Sequence, residues 1–131
     1  MNILKPTDIE EQIRTALAEY LNVYCRPLPA SYLLPNILVT ASGGSTANTI
    51  DTFTVTLSAR AETDAEALDY LNDALGVLAE QAAAQVNAIR NISINSLASW
   101  GTDPVRPDLK LCTATVLVTA HRAKKTINKK T

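Results

Sequence analysis

The side chains best suited to chemistry in this sequence are Cys25, Cys112 and His121, the run "SGGST" at 42–46, and the carboxylates Asp69 and Asp73. Two cysteines and one histidine, far apart along the chain, do not make the paired groups from which a metal site of about four ligands is built. They read as two buried thiols in a reducing cytoplasm, and a histidine lacking the partners of a Cys/His hydrolase. "SGGST" has the glycines of a phosphate loop but lacks the Lys-Ser/Thr pair and opens no helix, so it reads as a flexible hairpin tip. Asp69 and Asp73 stand one helical turn apart on the face opposite a row of leucines, which makes them a solvated acidic surface rather than a catalytic pair. With no nucleophile beside a base, no metal cluster and no phosphate cradle, the sequence predicts no catalytic residue, no metal and no cofactor.

The elements that hold these residues follow from patterning. The 131 residues suit one domain with one core, and 47% hydrophobic with 19% charged residues is an ordinary globular balance. A formal net charge of -1 argues against a protein that coats nucleic acid through its overall charge. No apolar run approaches the roughly 20 residues of a membrane span, and "MNILKPTDIEEQI" lacks the order of a signal peptide, so synthesis in a cytoplasm is expected. "NIS" at 91–93 therefore does not read as a glycosylation site.

"TDIE" at 7–10 is a capping box that predicts a first helix over about 8–24, with Ile9, Ile13, Ala16, Leu17, Tyr20 and Tyr24 on its buried stripe. The prolines of "CRPLPASYLLP" predict an irregular connector. "NILVTA" reads as a strand that stops at "SGGS", and Thr49 to Ala61 as its hairpin partner. A second capping box, "TDAE" at 63–66, opens a helix whose predicted stripe is Leu68, Leu71, Leu75, Leu78, Ala82 and Val86, with Gly76 off it. "NISINSLASW" predicts a third strand with a bulge near Leu97, and Leu109 to about Arg122 a long central one. The sum is an α+β domain over 1–122, ordered α-β-β-α-β-β, with a mostly antiparallel four-stranded sheet, two helices on one face, and a basic flexible tail at 123–131.

Two surface features remain. Between Ala61 and Ile89 stand Glu62, Asp64, Glu66, Asp69, Asp73 and Glu80 with no Lys or Arg, whereas Arg122, Lys124, Lys125, Lys129 and Lys130 crowd the other end. Such a polarised subunit can set its acidic surface against basic elements of the next copy, a head-to-tail contact that closes into a ring. The alternating strand also turns Phe53, Val55, Leu57 and Ala59 one way and Thr52, Thr54, Thr56 and Ser58 the other, and Thr113, Thr115 and Thr119 extend the hydroxyl surface. Hydroxyls can donate and accept, lose little side-chain entropy and carry no charge to desolvate, so this surface can be wet alone and dry in an assembly.

A short N-terminal helix, a proline-broken connector, a hairpin with a glycine tip, and then "ETDAEALDYLNDALGVL" leading to two more strands resemble, over about residues 7–122, the tail terminator or tail completion proteins of tailed bacteriophages. The resemblance implies a structural protein of the virion neck without catalytic residues. It would be a hexameric ring that caps the tail tube, stops its polymerisation and joins the head-side connector. Its partners would be copies of itself, the major tail tube protein and the connector, with DNA only passing through the lumen. The expected contacts are the loop from Gly43 to Asn48 with Gly44, Ser45 and Thr46, the strand face of Thr52, Thr54 and Thr56, the helix face of Asp69 and Asp73, and Arg122, Lys124 and Lys125. Alternatives are another neck protein of the same virion, or a small metabolite-binding regulatory domain with a pocket between helices and sheet.

Overall fold

The structure is a computed structural model that describes residues 1–47, 50–84 and 88–130. Among these the chain forms β1 (Asn2–Lys5), α1 (Ile9–Ala18), β2 (Val23–Cys25), β3 (Asn36–Ala47), β4 (Ile50–Ala61), α2 (Asp64–Ala83), β5 (Ile89–Thr102), β6 (Lys110–His121) and β7 (Ala123–Thr126). The fold is α+β. Its main sheet has five strands in the order β2-β3-β4-β6-β5, rather than the four expected, and β1 pairs with β7 in a separate ribbon. All pairs are antiparallel except β2 with β3.

The alternation of β4 and β6 builds the core. Val55, Leu57 and Ala59 stand opposite Val116, Ala114 and Cys112, and all six are fully buried. Directly opposed residues share a face, so the partners reinforce one apolar surface. α2 lies against β4, β5 and β6, while α1 lies against β2, β3 and α2, so both helices cover this one face. α1 contributes Ile9, Ile13, Ala16 and Leu17, the helical spacing the sequence predicts. Thr63 caps α2 by accepting from the Glu66 amide at 3.2 Å. The buried stripe of α2 is Ala67, Leu71, Ala74, Leu78 and Ala82, turned slightly from the predicted one so that Leu68 and Leu75 pack at its margin. Val86 of the predicted stripe and Asn48 and Thr49 of the predicted hairpin lie outside the described residues.

Several local expectations are corrected. α1 ends at Ala18 rather than near Tyr24, leaving Tyr20 exposed and Val23–Cys25 as the extra strand. β-branched Val23 and the restriction that Pro27 places on Arg26 favour extended backbone here. The Asn22 amide donates to the Tyr70 hydroxyl at 2.6 Å and the Ile37 amide donates to the Asn22 carbonyl at 2.9 Å, which fixes the parallel pairing. The cap of α1 is Asp8, not Thr7: its carboxylate accepts from the Glu11 amide at 3.3 Å. Glu10 is thereby free to reach Arg26 and the Ala41 amide. Cys25, expected buried, is only half-buried beside Glu10.

β3 does not stop at the glycines. It bulges between Ala41 and Gly44, with Gly43 at a φ of 100°, and continues to Ala47. Glycine supplies the positive φ that either a turn or a bulge requires, and here it serves a bulge. The long edge strand β5 has register shifts at Ile94/Ser96 and Ser96/Ser99, flanking Leu97 where a bulge was predicted. Such irregularity blunts an edge against pairing with another chain. The basic C-terminal segment is, at Ala123–Thr126, a strand rather than a flexible tail, because the first residues of the chain pair with it.

A Cβ at Gly44 would collide with the carbonyl oxygen of Thr52, whereas one at Gly101 meets nothing within 4 Å. Gly44→Ala should therefore lose about 1–3 kcal/mol or more in urea unfolding. Gly101→Ala should stay within about 0.5 kcal/mol of the parent. Equal effects would contradict the bulge geometry.

Candidate functional site

With both helices on one side, the other face of the sheet is open. Four cross-strand rows cover it: Leu38–Ser58–Thr113–Ser99, Thr40–Thr56–Thr115–Ser96, Thr54–Leu117–Ser93 and Ser45–Thr52–Thr119–Asn91. These rows contain no charged side chain. Thr52, Thr54, Thr56, Ser58, Thr113, Thr115 and Thr119 are half-buried, and Ser58 shares a hydrogen bond with Thr113 at 3.3 Å. The expected surface of Thr52, Thr54 and Thr56 is thus one continuous field, wider than the sequence indicated because β3 and β5 extend it.

A charged corner lies at the Thr52–Thr119 end of the sheet, on the helix-covered face opposite this field. The Thr46 hydroxyl donates to Asp51 at 2.7 Å, and Arg122 donates to the same carboxylate through Nε at 3.2 Å and Nη2 at 3.2 Å, with a further 3.3 Å contact to Thr46. Asp51 is only 3% exposed. The Thr46 hydroxyl first, and then the Arg122 guanidinium, hold its carboxyl below the usual carboxylate range. Arg122 is thereby tied to the β3–β4 hairpin from just beyond the end of β6. At the opposite end Arg60 donates to Asp103 at 2.7 Å, and both side chains are buried. Burial alone would raise the Asp103 carboxyl, but Arg60 and the amides of Val105 and Arg106 outweigh it and hold it low.

A cleft between the start of α1 and the β3–β4 hairpin brings Glu10, Arg26, Gly43, Gly44, Thr46 and Asp51 together. Glu10 accepts from Arg26 at 2.6 Å and from the Ala41 amide at 3.0 Å, and the Arg26 contact leads in keeping its carboxyl low. Both carboxylates are held ionised and are already occupied as acceptors, so the corner ties elements together and offers no general acid near neutral pH. Burial pushes both the Cys25 and Cys112 thiols up, away from the reactive thiolate. Among the described residues no three of His, Cys, Asp and Glu are grouped to hold a metal ion.

The remaining predicted residues lie apart from this field. Asp69 and Asp73 are exposed on α2, and Lys124 and Lys125 are exposed on β7. Among the described residues none of the six acids from Glu62 to Glu80 forms an ion pair. Gly43 and Gly44 shape the bulge, and Ser45 stands beside Thr52. The sequence reading missed Glu10, Arg26, Asp51, Arg60 and Asp103. One signal was present: Asp51 occupies the apolar side of the alternation Asp51, Phe53, Val55, Leu57, where a charge requires a partner.

Scanning the chain against models of protein families gave no match, and neither did a search of curated proteins.

Glu10, Asp51 and Asp103 all have carboxyls held below their ordinary values. Their stabilisation is complete above the ordinary carboxyl pKa near about 4 and is lost as pH falls through the depressed folded values. The melting temperature should hold from neutrality to about pH 5 and fall below about pH 4. Asp51→Asn should lower it at neutral pH and make the acid limb shallower; an unchanged limb would contradict the corner's role.

Proposed function

We propose that this chain is a structural subunit of a tailed-bacteriophage virion, a tail terminator that forms a ring on the end of the tail tube, stops its growth and receives the head-side connector. The observation that carries this reading is the open sheet face: four uncharged rows of Thr, Ser, Asn and Leu, with both helices, among the described residues, packed on the other side of the sheet. Its hydroxyls are hydrated in the free subunit and re-pair across a contact, so covering it strands no charge. Small side chains also lose little rotamer freedom on being covered. The resemblance of the element order to tail terminators points the same way.

The charge distribution supports a head-to-tail rather than a two-fold contact, because the acidic helix and the basic ribbon are different surfaces of one subunit. A head-to-tail contact closes into a ring when its rotation divides the circle. Such a ring matches the last layer of the tube on one side and lacks the tube's own growth surface on the other, which is the physical basis of capping. The bulged edge of β5 favours contact through faces over indefinite extension of the sheet.

Mass measured across a concentration series should show a ring-sized oligomer, at high concentration or with tail tubes added. Thr56→Lys, which places a charge in the middle of the field, should weaken association by about tenfold or more while leaving the monomer's melting curve intact. Thr56→Ser should behave as the parent. Deleting the gene in its phage should give tails of uncontrolled length that fail to join heads; tails of normal length would reject the assignment.

A further inference from the structure

Gly76 lies mid-helix in α2, where glycine costs about 1 kcal/mol relative to alanine. Among the described residues nothing requires it: its φ is not in the left-handed region, and a Cβ there would meet none of their atoms within 4 Å. Gly76 forms the floor of a groove of about 600 Å³ between the end of α1 and the outer side of α2. Tyr20, Leu21 and Val77 supply apolar walls, and Asp73 and Glu80 form an acidic rim. Tyr20 is 60% exposed, so the subunit leaves the groove unfilled.

The β1–β7 ribbon has the opposite character. Met1 is 85%, Leu4 47% and Ile127 46% exposed. They stand among Lys5, Lys124, Lys125, Lys129 and Lys130, all exposed. Leu4 pairs directly with Lys124, and reciprocal hydrogen bonds between Met1 and Ile127, at 2.8 and 3.0 Å, hold the ends of the chain side by side. The ribbon is thus a preformed arm with apolar side chains in a basic surround, and the groove is an apolar notch in an acidic surround.

We propose that the ribbon of one copy docks in the α1–α2 groove of the next, with Ile127 or Leu4 entering the notch over Gly76 and the lysines meeting Asp73 and Glu80. This names the head-to-tail contact of the proposed ring, and it rests on that reading. Apolar complementarity supplies the contact area, and the charges set its direction and its sensitivity to salt. The glycine lets the arm approach the helix backbone closely.

Sedimentation velocity of the full chain tests this with three variants: Gly76→Trp, the groove reversal Asp73→Lys/Glu80→Lys, and the ribbon reversal Lys124→Glu/Lys125→Glu/Lys129→Glu/Lys130→Glu. Each alone should weaken self-association by about tenfold or more with unchanged circular dichroism. Mixing the two reversed chains should restore it, because each supplies the other's complement at both contacts. Parent-like association of Gly76→Trp and the groove reversal would overturn the docking while leaving the ring standing. A parent that stays monomeric at every concentration, alone and with tail tubes, would overturn both.

Discussion

Both helices lie against the same face of the sheet, and that one-sided cover governs the rest of the molecule. Val55, Leu57 and Ala59 with Val116, Ala114 and Cys112 make a surface that must leave water. Because strand side chains alternate, the same pairing that gathers these residues also gathers Thr52, Thr54, Thr56 and Ser58 with Thr119, Leu117, Thr115 and Thr113 on the far side. A one-residue slip would exchange the two faces, so the core's apolar demand fixes the hydroxyl field as firmly as it fixes itself. The open face is a consequence of the core, available to whatever covers it.

The two ends of the sheet are pinned by charge. Asp51 sits on the apolar side of β4 and is tolerable there because Thr46 and Arg122 satisfy it. Arg122 stands between β6 and β7, so the same contact that neutralises Asp51 also fixes where the basic ribbon leaves the sheet. The Arg60–Asp103 pair does the equivalent at the other end, anchoring the loop that precedes β6. The net charge of -1 conceals this arrangement: acids collect on α2, bases on the ribbon, and the carboxylates buried in the fold are paired.

What the sequence disclosed was what local physics specifies. The alternation of β4 and β6, the Thr63 cap of α2 and the irregularity beside Leu97 each have a short-range cause, and each is present. The fifth strand was illegible because Val23–Cys25 is too short to show a period and is recruited by Ile37–Val39. Thr7 and Asp8 are both good caps, so a one-residue error carried no local penalty. The Gly43–Gly44 pair suits a turn and a bulge alike. The ribbon and the Asp51–Arg122 contact join residues from distant parts of the chain; nothing local announces the ribbon, and the charge at Asp51 on an apolar side announces a partner without naming it. The hydroxyl face was legible on β4 and β6, while its continuation onto β3 and β5 needed the register.

The central claim is that the uncharged sheet face is a wall between copies of this chain. A structure of the assembled particle by electron cryo-microscopy tests it most directly. The account predicts a neighbouring subunit laid over Thr54, Thr56, Thr115 and Leu117, with their hydroxyls re-paired across the contact. An assembly in which those four residues face bulk solvent, the subunits meeting through other surfaces alone, would contradict it.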